Sequence, residues 1–239
     1  MTCIFVTGTD TDVGKTLVSS ALLLRLAQGG YRTLAMKPVA AGAALTEHGL
    51  RNDDALQLRA AMNVTGVEYS ELNPVCLAPP VAPHLAAEQV NQRLTVRDLT
   101  EHFKSLRAAY AHDLMLVEGA GGWQVPLNDE ESLADFVEAI GAKVVLVVGL
   151  KLGCLNHTLL TIADLQHRGI EVLGWVANQA QPEAMALQTE NVAWLKRRLQ
   201  IPLLGTIPFL EKTAEADRPA SAVDYLPASQ ELMSVLQGS

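Results

Sequence analysis

The sequence has few of the features expected of extracellular or membrane-embedded proteins. Its three cysteines, Cys3, Cys76 and Cys154, lack metal-ligand spacing, and their odd number argues against a disulfide framework. The longest apolar run, residues 144–150, is far too short to cross a bilayer. The N-terminus enters a strand-like segment at once, which leaves no room for a signal peptide. We therefore expect a cytoplasmic protein.

Basic residues are also scarce. The chain has 18 Lys and Arg against 26 Asp and Glu, a formal net charge of -8, and no basic run longer than residues 196–198. This balance argues against a general surface for nucleic acid or anionic membranes. With 49% hydrophobic residues, the chain can build a substantial core, and no repeat, linker or low-complexity segment divides it. We predict a single domain over residues 1–239.

The most informative stretch is the run Gly8–Thr16, which matches the pattern G-x-x-x-x-G-K-[ST]. The strand-like run Cys3–Thr7 precedes it and the helical segment Leu17–Ala27 follows it, which is the context that this motif requires. Backbone N–H groups of such a loop, together with the helix N-terminus, cradle a polyphosphate. Lys15 would reach the β- and γ-phosphates, and the Thr16 hydroxyl would ligate Mg²⁺. The motif predicts a site for a nucleoside triphosphate.

Strand-like and helical segments alternate along the rest of the chain. The later strand-like runs are Tyr31–Met36, Leu114–Val117, Val144–Val148, Val172–Ala177 and Leu203–Ile207. The helical patterns between them include Ser132–Ile140, Leu155–Arg168 and Pro182–Leu199. Near-continuous apolar strands separated by helices predict an α/β fold, with a mostly parallel sheet covered by helices on both faces. With the phosphate loop, this pattern indicates a three-layer P-loop NTPase fold.

Polar residues follow the predicted strands at the edge where such folds bind ligands. Glu118, which precedes three glycines within four positions, could bind Mg²⁺ opposite Thr16. Lys37 is restricted by the following proline, and its ammonium could stabilise charge that moves off a γ-phosphoryl group, although it could equally be a surface residue. Asn178 could read adenine with its amide, or it could simply form a turn.

Three other parts of the sequence leave alternatives open. Asp53 and Asp54 begin a helical pattern, where acids often merely complement the helix dipole. We favour that interpretation for Asp53, whereas Asp54 could equally serve a binding site. Prolines are expected to break the segment 63–104 into loops that cover the substrate. The stretch 211–227 could form a flap over adenine.

Taken together, these segments resemble the dethiobiotin synthetase family. The matching blocks are Gly8–Thr16, Lys37–Val39, Arg51–Leu56, Glu118–Trp123, Lys151–His157 and Gly174–Asn178. The resemblance implies an ATP- and Mg²⁺-dependent ligase of biotin biosynthesis, which closes the ureido ring of dethiobiotin from 7,8-diaminononanoate and CO₂. A carbamate of the substrate would attack the γ-phosphate to give a carbamic–phosphoric anhydride. The resemblance also implies a homodimer with substrate bound near the subunit interface.

The resemblance further implies roles for individual residues. Catalysis would fall to Lys37, Lys15 and Thr11, and Mg²⁺ would be held by Thr16, Asp54 and Glu118. The nucleotide would be bound by Asp12, Val13, Gly14, Lys15, Thr16, Asp54, Glu118, Gly119, Ala120, Gly121, Asn178, Gln179, Pro208, Phe209, Leu210 and Glu215. The substrate would contact Ala41 and also Gly153, Cys154 and Asn156 of the second chain. A buried thiol and a satisfied helix histidine are the favoured interpretations of Cys154 and His157.

Two alternatives to this assignment stay open. Ala41 stands where the family can carry a serine, so a paralogue that acts on another diamine is one of them. The other is a partitioning or septum-positioning ATPase of the same broad fold. Such ATPases usually carry a second lysine early in the phosphate loop, where this chain has residues 9–11, Thr-Asp-Thr. The guanine signature Asn-Lys-x-Asp is absent, because residues 178–181 are Asn-Gln-Ala-Gln, and Gln179 leaves the nucleotide selectivity open.

Overall fold

A six-stranded sheet forms the centre of the computed structural model, which describes residues 2–211, 214 and 217–238. The strands are β1 (Thr2–Gly8), β2 (Thr33–Met36), β3 (Val39–Ala40), β4 (Ala44–Thr46), β5 (Gly49–Arg51), β6 (Val75–Cys76), β7 (Leu114–Glu118), β8 (Lys143–Gly149), β9 (Val172–Asn178) and β10 (Leu203–Ile207). The central sheet has the order β10-β9-β8-β1-β7-β2, and every neighbouring pair in it is parallel. The predicted parallel sheet is confirmed.

Helices cover both faces of this sheet and make the fold three-layered. They are α1 (Lys15–Gln28), α2 (Asp53–Ala61), α3 (Tyr69–Leu72), α4 (Pro83–Glu88), α5 (Val96–Ala109), α6 (Leu133–Ile140), α7 (Cys154–His167), α8 (Gln188–Leu199), α9 (Arg218–Ala222) and α10 (Ser229–Gln237). Helix α1 packs against α2, α9 and α10, whereas α5 packs against α6. Among the described residues, no helix is long and apolar enough to span a membrane.

The segment 63–104 contains more regular structure than its prolines predict. It holds α3, β6, α4 and the beginning of α5, so the expectation of loops throughout is wrong. Pro83 occupies the first turn of α4, where its missing N–H costs no hydrogen bond. Helix α5 begins after Thr95, whose side chain accepts a hydrogen bond from the backbone N–H of Asp98. The prolines therefore mark the start of structure here as well as its interruption.

Two other predicted boundaries also differ from the structure. The strand predicted from Tyr31 begins at Thr33. The helix predicted from Pro182 begins only at Gln188, because Leu187 adopts a left-handed backbone conformation with φ of 53°. A residue in this conformation cannot continue a right-handed helix.

Two polar residues at the ends of the central strands are buried in the core. Strand β7 is buried along its whole length, and Val144 to Val148 in β8 are fully buried. Because such strands are covered on both faces, a polar side chain in them needs a partner inside the protein. Glu118 at the end of β7 and Asn178 at the end of β9 are both buried. Their partners define the candidate site.

Candidate active site

The phosphate loop runs from β1 into α1 and is held in place by a backbone hydrogen bond to strand β8. The backbone N–H of Thr9 donates to the carbonyl of Val147 at 3.0 Å. Gly14 ends the loop with φ of 87° and directly precedes the first turn of α1. Lys15 is buried, and its Nζ donates to the carbonyl of Asp10 at 3.2 Å. The predicted loop and helix are therefore in place, with N–H groups at the helix start available for an anion.

A buried ion cluster lies beside the loop, at the ends of β2 and β7. Nζ of Lys37 lies 2.7 Å from Oε1 of Glu118 and 3.0 Å from Oδ2 of Asp54. The same ammonium donates to the carbonyl of Gly119 at 3.0 Å. The Thr16 hydroxyl donates to Oε1 of Glu118 at 2.9 Å. The fold thus brings together four residues that the sequence singled out in four separate segments.

The charges in this cluster shift one another's pKa values. Burial opposes the positive charge of Lys37, but Glu118 and Asp54 outweigh it, so the pKa of Lys37 is raised. Partial burial opposes ionisation of Asp54, yet Lys37 holds its pKa below the ordinary value. The pKa of Lys15 is lowered, first by burial and then by repulsion from Lys37. Lys37 is therefore a firmly charged ammonium, whereas Lys15 lacks a sufficient counter-charge.

The oxygen atoms of the cluster suit a small divalent cation. Oε2 of Glu118 is buried and has no hydrogen-bond partner among the described residues. The hydroxyl of Thr16 and the carboxylate of Asp54 lie around the same cluster, and hard oxygen ligands are those that Mg²⁺ prefers. In the described part of the chain, no group of three or more His, Cys, Asp or Glu is arranged so that it could hold a metal ion by itself. Mg²⁺ would therefore need phosphate oxygens and water to complete its coordination, as is usual for this ion in nucleotide sites.

One cavity of about 930 Å³ joins the loop and the cluster. From the predicted site it is lined by Thr11, Asp12, Gly14, Lys15, Thr16, Lys37, Ala41, Asp54, Ala120, Gly121, Asn178, Gln179, Pro208, Phe209 and Leu210. Sequence reasoning missed other lining residues, which are Leu17, Ala40, Asn52, Gln57, Pro80, Val81, Ala82, Pro83, Ala180, Gln181 and Arg218. The group from 80 to 83 lies in the segment that was expected to cover the substrate.

The remaining predicted residues lie behind or away from this cavity. Val13 is buried under the loop, while Glu118 and Gly119 contact Lys37. Gly153, Cys154 and Asn156 do not line the cavity within this chain. Glu215 lies outside the described residues, as does part of the stretch 211–227 predicted as a flap.

Asn178 connects the base of the loop to β9. Its Nδ2 donates to the carbonyl of Val13 at 2.8 Å, whereas its Oδ1 is buried without a described partner. The amide thus braces the phosphate loop with one end and leaves an acceptor free at the other. Next to it, the Nε2 of Gln179 donates to the carbonyls of Gln181 and Pro182, both at 3.1 Å.

Helix α7 begins after an exposed loop, residues 151–153, which does not line the cavity. Gly153 precedes it in a left-handed conformation with φ of 95°. Cys154 is buried with its Sγ 3.9 Å from Sδ of Met185, and burial raises the pKa of its thiol. This is the buried thiol that was favoured. His157, in contrast, has a buried Nδ1 without a described hydrogen-bond partner, so the expectation of a satisfied histidine is wrong at that atom.

A phosphate loop beside a buried lysine–carboxylate cluster, at the carboxyl edge of a parallel sheet, defines a P-loop nucleotide-dependent protein. Solved structures share the fold. The septum site-determining protein MinD of Pyrococcus horikoshii, complexed with Mg-ADP, is 18% identical with a TM-score of 0.56, covering 99% of this chain and 95% of that one. The MinC:MinD complex of Aquifex aeolicus gives 16% identity and a TM-score of 0.57, covering 100% of this chain and 95% of that one.

The sequence comparisons reach further than the fold. A family model described as an AAA domain matches residues 2–217. The ATP-dependent dethiobiotin synthetase of Marinobacter nauticus is 44% identical, over 93% of this chain and 94% of its own length. That of Cellvibrio japonicus is 46% identical, over 93% of this chain and 96% of its own length. The chain belongs to the dethiobiotin synthetase family. The predicted resemblance and the class of ATP-dependent ligase are confirmed, which disfavours a partitioning ATPase.

Proposed function

We propose that this protein closes the ureido ring of dethiobiotin from 7,8-diaminononanoate and CO₂, using ATP with Mg²⁺. The observation that carries the proposal is the position of Lys37. Its ammonium lies beside the phosphate loop, fixed by Glu118 and Asp54, in the cavity that Lys15 and Thr16 also line. A cavity of about 930 Å³ has room for a nucleotide and a second substrate together.

The chemistry requires three bond-forming steps. One substrate amine attacks CO₂, forms a C–N bond and loses a proton, which gives a carbamate. A carbamate oxygen then attacks the γ-phosphorus, and ADP leaves. The second amine attacks the carbonyl carbon of the resulting anhydride, so that the ring closes, phosphate departs and the nitrogen releases a proton. Because the carbamate already carries its negative charge, no side chain has to activate it by removing a proton.

The protein's part in these steps is to position groups and to neutralise charge. Lys15 reaches the phosphates from the start of α1, and Lys37 faces the transferring phosphoryl group and the carbamate. Thr11, in the exposed part of the loop, lies within the same cavity. Mg²⁺, when bound by Thr16, Asp54 and Glu118, supplies positive charge at the phosphate oxygens.

The two ends of ATP are assigned to different groups of residues. The phosphates contact the loop from Asp12 to Thr16, with the segment Gly119–Gly121 beside them. The base contacts Asn178, whose free Oδ1 can accept a hydrogen bond from an amino group. Gln179, the segment 208–210 and, beyond the described residues, Glu215 complete the base site.

The diamine is assigned to the apolar part of the cavity. Ala40, Ala41 and the segment 80–83 supply an alkyl-lined wall there. We assign its carboxylate to the N-terminus of α7 in a second copy of the chain, at Gly153, Cys154 and Asn156. The side chain of Leu152, 93% exposed next to that helix, supports a homodimer interface at this place. We place the enzyme in the cytoplasm, acting on small molecules without a nucleic-acid or membrane partner.

Product analysis tests the proposal directly. Purified protein is incubated with ATP, Mg²⁺, bicarbonate and 7,8-diaminononanoate, and each component is omitted in turn. Dethiobiotin that appears in step with ADP, only in the complete mixture, supports the proposal, and chelation of Mg²⁺ should stop both products. ADP release that ignores the diamine would favour a switch ATPase. A folded, ATP-binding protein without turnover would point to a different diamine.

A further inference from the structure

The hydroxyl of a buried tyrosine links the segment that carries Lys37 to the helix that carries Asp54. The hydroxyl of Tyr69 in α3 accepts a hydrogen bond from the backbone N–H of Asn52 at 2.8 Å. The same hydroxyl donates to Oδ1 of Asn73 at 3.0 Å. All three residues are buried, and Tyr69 is only 6% exposed. This hydroxyl therefore satisfies two buried polar groups that would otherwise have no partner.

One branch of this connection leads to Lys37. Nδ2 of Asn73 donates to the backbone carbonyl of Lys37 at 2.7 Å and to that of Val75 at 3.1 Å. The backbone N–H of Lys37 donates to the carbonyl of Leu72 at 2.8 Å. Both polar backbone groups of Lys37 are thus held by the segment that carries Tyr69. These hydrogen bonds therefore fix the backbone position of Lys37.

The other branch leads to Asp54. Asn52 caps α2, because its Oδ1 accepts a hydrogen bond from the N–H of Ala55 at 3.2 Å. Its Nδ2 donates to the carbonyl of Ala41, which lines the cavity, at 3.4 Å. Asp54 lies in the first turn of this helix. The hydrogen bond between Tyr69 and Asn52 therefore fixes the backbone position from which the Asp54 carboxylate extends.

We propose that Tyr69 is a positioning residue that sets Lys37 against Asp54 through Asn73 and Asn52. This role rests on the proposed function, because it matters only if that pair serves phosphoryl transfer. Productive geometry in such sites must be held within about 0.5 Å, and a displacement of about 1 Å can cost about 10²-fold in rate. The hydroxyl lies outside the cavity lining and acts through the two asparagines, and it also lies 3.6 Å from Sγ of Cys76.

The test compares Tyr69→Phe with a matched control, Tyr110→Phe. The Tyr110 hydroxyl donates to the carbonyl of Gly66 and to Glu71, so it anchors α3 too, but it has no hydrogen bond to the cluster. Two quantities are measured. The first is kcat for dethiobiotin formation. The second is the affinity for Mn²⁺, which is measured by electron paramagnetic resonance in the presence of a non-hydrolysable ATP analogue. We expect about a tenfold loss in each for Tyr69→Phe and less than about twofold for Tyr110→Phe.

Two further variants separate positioning from general damage. In an Asp54→Asn background, the additional effect of Tyr69→Phe on Mn²⁺ affinity should nearly vanish, since both changes act at one point. Asn73→Ala should lower kcat but weaken Mn²⁺ binding less, because it removes only the branch to Lys37. It also replaces the first variant if Tyr69→Phe does not fold.

The outcomes distinguish this role from the proposed reaction. If Tyr69→Phe loses no more than Tyr110→Phe, or if its Mn²⁺ effect adds fully to that of Asp54→Asn, the positioning role is overturned. If the wild-type protein forms no dethiobiotin while Tyr69→Phe still weakens Mn²⁺ binding about tenfold, the positioning role stands and the proposed reaction fails.

Discussion

Replacement of Lys37 by methionine should weaken the fold as well as the reaction. The side chain of Lys37 is 3% exposed and that of Glu118 is 0% exposed, with 2.7 Å between their charged atoms. Removing the ammonium leaves the buried carboxylate of Glu118 without its ion-pair partner, which costs about 3–5 kcal/mol. Asp54 adds little to this cost, because 46% of its side chain is exposed and water can solvate it. The expected loss in the free energy of unfolding is therefore about 3–5 kcal/mol.

The companion variant Lys37→Met/Glu118→Gln tests the cause of that loss. A neutral amide in place of Glu118 removes the stranded charge, so we expect the double variant to recover more than half of the stability. Lys151→Met is the control, because Lys151 pairs with Asp10 at the surface, with side chains 50% and 41% exposed. Its ion pair should contribute less than about 1 kcal/mol. Urea unfolding of all variants at pH 7 gives the comparison.

Activity should not follow stability in this series. We expect kcat to fall about 10²–10³-fold in Lys37→Met, the scale for losing one charge-stabilising donor. The double variant should stay inactive even where its stability returns. If Lys37→Met loses less than about 1 kcal/mol, or if adding Glu118→Gln destabilises it further, the reasoning about a buried counter-charge is refuted.

Two further changes test the phosphate loop and the ion pair between Asp164 and Arg168. Gly14→Ala should abolish ATP binding, because a Cβ there would collide with the amide of Asn178. The control is Gly30→Ala, which also lies at positive φ but has free space around a Cβ. It should lower the free energy of unfolding by only about 1 kcal/mol and bind ATP normally. Burial opposes ionisation of Asp164, but hydrogen bonds, including one from Arg168 at 3.0 Å, lower its pKa. Its contribution to stability is therefore present above the ordinary pKa of 3.8 and lost as the pH falls further. As the pH falls below about 4, urea midpoints should drop less steeply in Arg168→Leu than in the wild-type protein.

Much of the sheet and of the phosphate site could be predicted because both follow from local sequence. Buried parallel strands are continuous apolar runs, and β10 has the predicted bounds Leu203–Ile207. Lys37, Glu118 and Asn178 stand out because each follows such a run, so the fold must bring them to one edge. Asp54 does not stand out in this way, because a first-turn acid looks the same whether it faces solvent or Lys37. Only the packing of α2 decides between these two environments.

The supporting residues could not be found in the same way. Tyr69 and Asn73 belong to a four-residue helix and its C-cap, too short to show any periodicity. Their importance comes from hydrogen bonds to residues 17 and 36 positions away, which no local pattern encodes. The same holds for Arg218, whose guanidinium lies 5.6 Å from the ring centre of Phe209 beside the predicted base site. Short segments between regular elements thus hold the site together without a recognisable sequence signature.

The charges of the site suit a polyphosphate. Lys37 is balanced by Glu118 and Asp54, whereas burial and repulsion from Lys37 lower the pKa of Lys15. A multiply charged anion that contacts both lysines removes this repulsion, and it does so most when negative charge accumulates between them. In the transfer of a γ-phosphoryl group to a carbamate that we propose, that accumulation is greatest between donor and acceptor oxygens. Under the proposed function, an anion that binds both lysines lowers this repulsion, and the charge that develops during transfer lowers it further, which is the difference that accelerates a reaction.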